Sequence, residues 1–139
     1  MNHVTFLDHA GYRLAYAVEG QGSPVLLIQG VGVPGEAWRP QLVALTPRHP
    51  CLWYDSRGLG QSQPVPHRMT VPQLAGDAHA LITAQGWPSV HVIGHSLGGL
   101  IALCLALEHP TSVRSLSLLC TFARGSLAGA SLRMAWIGL

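Results

Sequence analysis

The chain has 139 residues, of which 48% are hydrophobic and only 10% are charged, a composition typical of one globular domain with a sizeable core and not of a disordered protein. All eight basic residues are arginine, and the formal net charge is +2. Because these charges are spread singly along the chain, they form no basic patch, and we expect no nucleic-acid partner.

The first predicted elements are a hairpin, a buried strand and a short helix. Val4–Leu7 and Arg13–Val18 alternate as half-buried strands do, and a turn-prone segment joins them. Val25–Ile28 is a short continuous apolar run, as expected of a strand that is covered on both faces. A helix is predicted for residues 38–45, where Pro40 is tolerated in the first turn.

Strands and helices alternate along the rest of the chain. The predicted elements are, in order, a strand at Cys51–Tyr54, a helix from the capping box Thr70–Gln73 to Gly86, a strand at Val90–Ile93, a helix from Leu97 to about Glu108, and a strand at Leu116–Leu119. This order predicts an α/β fold with a mostly parallel sheet and helices on both faces. The last helix is apolar nearly all round and is expected deep in the domain.

The segment from Gly86 to Leu107 has no charged side chain and is about as long as a membrane span. Proline, histidines and glycines interrupt it, so we interpret it as a buried strand, turn and helix and expect no membrane partner. The chain's N-terminus lacks the pattern of a signal peptide.

The cysteines and histidines predict neither a disulfide framework nor a metal site. Cys51, Cys104 and Cys120 each fall within an apolar predicted element, so we expect buried free thiols in a cytoplasmic protein. The eight histidines show no zinc-ligand spacing, and no cofactor is expected.

The segment Gly94–Gly99 carries the strongest functional signal. It reads Gly-His-Ser-Leu-Gly-Gly, follows a predicted strand and opens a predicted helix. Glycines two residues to either side of Ser96 permit a tight, strained turn, which places the serine at the end of a strand and above the positive end of a helix. The pattern predicts a nucleophilic serine, and the alternative is a turn serine that caps the helix.

Two further motifs precede this segment in the chain. Gln29-Gly30-Val31-Gly32 follows the third predicted strand, and residues 55–62, reading Asp-Ser-Arg-Gly-Leu-Gly-Gln-Ser, follow the fourth. Together with the serine segment they resemble the amino-terminal part of the α/β-hydrolase fold, which has His-Gly-x-x, D-x-R-G-x-G-x-S and G-x-S-x-G at these places. The similarity extends from about Tyr12 to Thr121 and is greatest to the esterase, enol-lactonase and C–C hydrolase branch.

The resemblance implies a role for three residues. Ser96 would attack an acyl carbon and give an acyl-enzyme that water hydrolyses. The backbone amides of Val31 and Leu97 would donate hydrogen bonds to the oxyanion. Because these donors are main-chain groups, Gln29 in place of the family's histidine need not remove them, although it changes how the loop is fastened.

Both glycine-containing loops have other interpretations. Residues 29–32 could be an ordinary turn at the end of a strand. Gly58 and Gly60 could form a phosphate cradle, but no Gly-Lys-Ser/Thr follows and the chain has no lysine. We instead expect Asp55 and Arg57 to pair and to fasten their loop beside the active site.

No histidine of the chain is expected to act as the base for Ser96. His95 is adjacent to the serine, but neighbouring side chains diverge around a tight turn. In the resembled family an acid and then a histidine follow the nucleophile, whereas here only Glu108 and His109 follow it. We therefore expect a hydrolase truncated before its acid and histidine, with the carboxy-terminal strands missing and weak or no activity.

Residues 1–121 are interpreted as a partial α/β-hydrolase core and residues 122–139 as the start of a cap or connecting segment. The last predicted strand would be an exposed edge, which favours self-association.

The predicted function is hydrolysis of small carboxylic esters or lactones through Ser96, and the alternative is a non-catalytic α/β module that binds a ligand or partner. Acyltransferase, cofactor-free peroxidase and C–C hydrolase activities stay open. Haloalkane dehalogenases and epoxide hydrolases are disfavoured, because both have aspartate at the position of Ser96.

Overall fold

A computed structural model describes residues 4–123 of the chain. Its strands are β1 (Thr5–His9), β2 (Tyr12–Glu19), β3 (Val25–Ile28), β4 (Cys51–Tyr54), β5 (Val90–His95) and β6 (Val113–Leu119). Its helices are α1 (Arg39–Leu45), α2 (Val71–Ala84) and α3 (Leu97–Glu108), and single 3₁₀ turns precede α1 and β6. All but the first two residues of the predicted cap or connecting segment lie outside the described residues, so that assignment stays a prediction.

The strands form one six-stranded sheet in the order β1-β2-β4-β3-β5-β6. Strand β2 pairs antiparallel with β1 and β4, whereas β3 pairs parallel with β4 and β5, and β5 pairs parallel with β6. The predicted hairpin and the mostly parallel α/β sheet are therefore confirmed. Within residues 4–123, β6 pairs with β5 alone and is an edge strand, as predicted.

Helices cover both faces of the sheet. Side chains alternate between the two faces along each strand. Leu26 and Ile28 of β3 pack in one buried cluster with α2 and α3, whereas Val25 and Leu27 pack in another with Leu42 of α1. All four residues of β3 and all four of β4 are buried, which explains why these strands read as continuous apolar runs.

The capping box predicted at the start of α2 is present. The Thr70 hydroxyl accepts from the Gln73 amide, and the Gln73 side chain accepts from the Thr70 amide. The expectation that α3 sits deep in the domain is met on one side of the helix only. Its buried residues lie against the sheet and α2, while Leu107 is 82% exposed in the described part of the chain. An all-apolar helix has no periodicity that could have shown which side is buried.

The three cysteines differ in burial, so the expectation that all are buried is wrong. Cys51 begins β4 and is buried, Cys104 on α3 is half-buried, and Cys120, which follows the end of the edge strand, is exposed. Among the described helices, none combines the length and the apolarity needed to cross a membrane. The segment 86–107 forms β5 and α3, as its interpretation required.

Candidate active site

Ser96 is the single residue between a strand and a helix, since β5 ends at His95 and α3 begins at Leu97. Its backbone has φ 54° and ψ −119°, a conformation that residues other than glycine rarely adopt. Strain of this kind costs about 1–3 kcal/mol and persists only where the surrounding structure enforces it. The strand, serine and helix predicted from the sequence are therefore present, and the serine stands at their junction.

Gly94 and Gly98 are required because the turn leaves no room for a side chain. A Cβ on Gly94 would overlap the carbonyl oxygen of Gly98, and a Cβ on Gly98 would overlap the carbonyl oxygen of Ile28. Both obstacles are backbone groups, which cannot swing aside as the end of a side chain can. The glycine spacing around Ser96 thus reflects the close packing of α3 against the ends of β5 and β3.

The hydroxyl of Ser96 does not cap helix α3. The Ser96 side chain makes no capping hydrogen bond, and its backbone carbonyl instead accepts from the Gly99 amide at 3.0 Å. Within residues 4–123, no other side chain hydrogen bonds to this hydroxyl. The interpretation of Ser96 as a serine that caps the helix is therefore wrong, and the half-buried hydroxyl is available for another role.

The loop of residues 29–32 packs directly against the serine turn. A Cβ on Gly30 would lie 3.3 Å from Cβ of Ser96 and 3.4 Å from Nδ1 of His95. This contact places Gly30, the residue before Val31, beside the turn, and Leu97 directly follows the serine. Among the described residues, neither the Val31 amide nor the Leu97 amide donates a hydrogen bond to another protein group.

Gln29 fastens this loop to the neighbouring strand. Its Nε2 donates to the carbonyl oxygen of Tyr54 at 2.7 Å and to Oγ of Ser56 at 3.3 Å. The side chain is only 3% exposed, and its Oε1 has no partner within residues 4–123. Gln29 therefore ties the end of β3 to the end of β4 through its amide, which is the changed fastening expected when glutamine replaces histidine.

The carboxylate of Asp55 organises the loop of residues 55–62. Its Oδ1 accepts from the amide of Gly35 and its Oδ2 accepts from the amide of Gln61, each at 2.9 Å. A Cβ on Gly60 would overlap this carboxylate. Because a negative charge fills the space beside the loop, an anionic phosphate would be repelled there, and the phosphate-cradle interpretation is disfavoured.

The expected pair between Asp55 and Arg57 is wrong. Arg57 donates instead to Asp77 on α2, from Nε to Oδ2 at 2.6 Å and from Nη2 to Oδ1 at 2.8 Å, and both side chains are buried. This hydrogen bonding raises the pKa of Arg57. The guanidinium also lies 4.0 Å from the centre of the Tyr12 ring. Asp55 is not the partner because backbone amides occupy both of its oxygens.

Asp77 is a residue of this region that sequence reasoning missed. It is 1% exposed and lies on α2 among the buried residues Leu74, Ala78 and Leu81. A carboxylate on the buried face of a helix needs a positively charged or hydrogen-bonding partner. That was the available signal, and it pointed to an arginine elsewhere in the chain.

Comparison with known proteins gives the family. The family model described as alpha/beta hydrolase fold matches residues 23–136. The chain belongs to the alpha/beta hydrolase fold family. The resemblance inferred from three motifs is thereby confirmed.

Two curated relatives share a printed name, “Putative carbamate hydrolase RutD”. The protein from Azorhizobium caulinodans is 39% identical over 111 residues, which make up 80% of this chain and 42% of that protein. The protein from Caulobacter vibrioides is 43% identical over 93 residues, or 66% of this chain and 35% of that protein. The chain thus spans less than half the length of these curated relatives.

Solved structures of hydrolases have the same fold. A hydrolase from Pseudomonas aeruginosa superposes with a TM-score of 0.88 at 34% identity, over 96% of this chain and 52% of that one. The epoxide hydrolase CorEH superposes with a TM-score of 0.82 at 30% identity, over 87% of this chain and 43% of that one.

In this member of the alpha/beta hydrolase fold family, no described histidine is in place to act as a base. His95 is exposed and makes no hydrogen bond to Ser96 within residues 4–123. His109 ends α3, the helix that leads away from the serine, and stacks on His79 with ring centroids 3.6 Å apart. In the part of the chain that the structure describes, no three residues among His, Cys, Asp and Glu form a cluster that could hold a metal ion.

Two cavities of the described residues lie away from the serine. One of about 480 Å³ is lined by residues including Tyr16, Trp53 and Asp55. The other, of about 590 Å³, lies at the turn between β1 and β2. Ser96 lines neither of them, so neither identifies the space in which a substrate of Ser96 would bind.

Proposed function

We propose that the protein is a serine hydrolase of carboxylic esters or lactones, with Ser96 as the nucleophile and the amides of Val31 and Leu97 as oxyanion donors. The observation that carries this proposal is the conformation of Ser96 at the end of a strand. Its backbone is strained, and its hydroxyl makes no capping hydrogen bond to helix α3. In members of this fold a strained strand-to-helix turn serves to expose a nucleophile.

The proposed reaction has two halves. Oγ of Ser96 bonds to the acyl carbon while its proton passes to a general base, and the bond to the leaving alkoxide then breaks as the base returns that proton. Water next adds to the acyl carbon and gives its proton to the base, and the bond to Oγ of Ser96 then breaks as the base returns that proton to Oγ and the acid is released. The Val31 and Leu97 amides stabilise the oxyanion in both halves, and one such donor is worth about 3 kcal/mol of barrier.

We place the acid and the base of this reaction outside residues 4–123. No described side chain hydrogen bonds to the Ser96 hydroxyl, and the resembled family has its acid and histidine later in the chain than the nucleophile. The 139-residue chain covers 42% of the Azorhizobium caulinodans relative. We therefore expect weak or no turnover by the 139 residues alone.

Similarity to the RutD proteins favours carbamates as a second candidate substrate class. The 39% identity extends over 80% of this chain. A carbamate presents a carbonyl carbon with a leaving group, as an ester does, so the same attack by Ser96 and the same oxyanion donors would serve. The two candidates differ only in the group attached to the carbonyl carbon.

Epoxide hydrolysis fits this chain less well, although an epoxide hydrolase has the same fold. A carboxylate nucleophile that opens an epoxide forms an ester, which water can then hydrolyse. A serine hydroxyl that opened the ring would form an ether, which has no acyl carbon for water to attack. Ser96 is therefore suited to acyl substrates.

A fluorophosphonate probe tests the proposal, because it forms an adduct only with an activated serine. We expect an adduct on Ser96 in a version of the protein extended to the length of its relatives, and none after Ser96→Ala. Ser117 of β6 gives a matched control, since it lies outside the serine turn and Ser117→Ala should leave labelling unchanged. An extended protein that binds small ligands but forms no adduct on Ser96 would establish the non-catalytic alternative. Rates with an aryl ester, a lactone and an aryl carbamate then decide between the substrate classes.

A further inference from the structure

The end of strand β6 holds the peptide groups on both sides of Ser96. The Ser96 amide donates to the carbonyl oxygen of Leu119 at 2.9 Å. The Thr121 hydroxyl donates to the carbonyl oxygen of Ser96 at 2.6 Å. Between these two contacts Cys120 has φ 48°, and this turn lets its neighbours on either side reach the serine. We call this arrangement the serine clasp, made of Leu119 and Thr121.

We propose that Thr121 is a positioning residue, which orients and polarises the peptide group between Ser96 and Leu97 and so aims the Leu97 amide at the oxyanion. The inference rests on the proposed function of Ser96. It adds a side chain that the three motifs do not contain and that acts through the backbone.

The geometry of a peptide group connects Thr121 to the Leu97 amide. The carbonyl oxygen of Ser96 and the N–H of Leu97 belong to one planar, trans peptide unit, so they point in opposite directions. The donors that fix the oxygen include the Thr121 hydroxyl at 2.6 Å and the Gly99 amide at 3.0 Å. Fixing the oxygen fixes the N–H on the other side of the unit.

Hydrogen bonds to the oxygen also strengthen the N–H as a donor. Chains of hydrogen bonds polarise one another, and the peptide group transmits this effect from its oxygen to its nitrogen. A preorganised and polarised donor needs little reorganisation when negative charge develops on the substrate. Thr121 would therefore act most strongly in the transition state.

The close contact between Gly99 and Thr121 indicates that the serine clasp is a specific feature of this sequence. The G-x-S-x-G pattern ends at Gly98 and does not require a further glycine. A Cβ on Gly99 would lie 2.5 Å from Cβ, Cγ2 and Oγ1 of Thr121. The additional glycine thus makes the room in which the threonine reaches the Ser96 carbonyl.

The first test compares Thr121→Val, which removes the hydroxyl at nearly constant shape, with Thr121→Ser, which keeps the hydroxyl. In the extended protein, we expect Thr121→Val to lower the second-order rate of fluorophosphonate labelling at Ser96 by about tenfold, the effect of one hydrogen bond. Thr121→Ser should label at close to the original rate. Gly99→Ala, which crowds the threonine without removing its hydroxyl, should behave like Thr121→Val. Equal rates for the valine and serine variants would overturn the proposal.

The second test needs no catalysis and uses the 139-residue chain. The carbonyl carbon of Ser96 and the amide nitrogen of Leu97 report hydrogen bonding at the oxygen between them, so their NMR resonances should move in Thr121→Val and stay close to their original positions in Thr121→Ser. Resonances that move in neither variant would overturn the clasp. If Ser96 is never labelled while these resonances move as expected, the proposed function fails and the orienting role of Thr121 stands.

Discussion

Arg57 and Asp77 form a buried ion pair with two hydrogen bonds, of 2.6 and 2.8 Å, between the loop of residues 55–62 and helix α2. The same loop is held from inside by Asp55, which accepts from the Gly35 and Gln61 amides. The carboxylates of Asp55 and Asp77 therefore have different structural roles. Asp55 shapes the loop through the backbone, and Asp77 attaches the loop to the helix layer that covers one face of the sheet.

Removing one partner of this buried pair should destabilise the protein. Asp77→Ala would leave the Arg57 guanidinium buried without a counter-ion, which typically costs about 3–5 kcal/mol. The double variant Arg57→Met with Asp77→Leu removes both charges, and we expect it to recover most of that loss. Urea unfolding followed by circular dichroism measures both free energies. A single variant as stable as the unaltered chain would show that the pair is not buried in solution.

The turn that carries Ser96 could be predicted from the sequence, whereas the hydrogen bonds that hold this turn and the neighbouring loop in place could not. Ser96 and its glycines lie within a few residues, so the strand, turn and helix were visible as one local pattern. The partners of Arg57 and of the Ser96 carbonyl lie 20 and 25 residues away and depend on how helices and strands come together. The prediction that all three cysteines are buried failed for a related reason, because an apolar stretch of sequence does not show which of its side chains pack against the rest of the fold.

The strain at Ser96 should reverse the usual order of stability between alanine and glycine. At φ 54° a Cβ is unfavourable, so Ser96→Gly should be more stable than Ser96→Ala by about 1 kcal/mol. In an ordinary helix or strand the glycine variant would be the less stable one. Thermal melting of the two variants gives the order directly, and neither retains a nucleophile. Leu100, inside α3, provides a control position at which alanine should be more stable than glycine.

The free energy of unfolding should decrease as the pH falls, because His79 takes up a proton. Burial, and then the nearby His109 and His9, lower the pKa of His79 below its ordinary value of 6.5. The unfolded chain therefore binds the proton more readily than the folded chain does. The contribution of His79 is fully present above pH 6.5 and is lost as the pH falls from there through the lowered pKa.

A substitution separates this effect from general acid destabilisation. Between pH 7.5 and pH 5, the melting temperature of His79→Gln should decrease less than that of the unaltered chain. His67→Gln, at an exposed loop position, is the matched control and should follow the unaltered chain. If His79→Gln and the unaltered chain lose the same amount, His79 has no lowered pKa in solution.

The three thiols should react with iodoacetamide in the order of their exposure. Cys120 is exposed, Cys104 is half-buried, and Cys51 is buried at the start of β4. Burial, with a contribution from the negative charge of Glu19, raises the pKa of Cys51 to about 11. At pH 8 only about one Cys51 molecule in a thousand would then be the reactive thiolate, even before access is considered. Peptide mass spectrometry over a time course should find Cys120 modified first and Cys51 last, with Cys51 reacting only after denaturation. Early modification of Cys51 in the folded chain would mean that β4 becomes accessible to solvent and is not stably paired between β2 and β3.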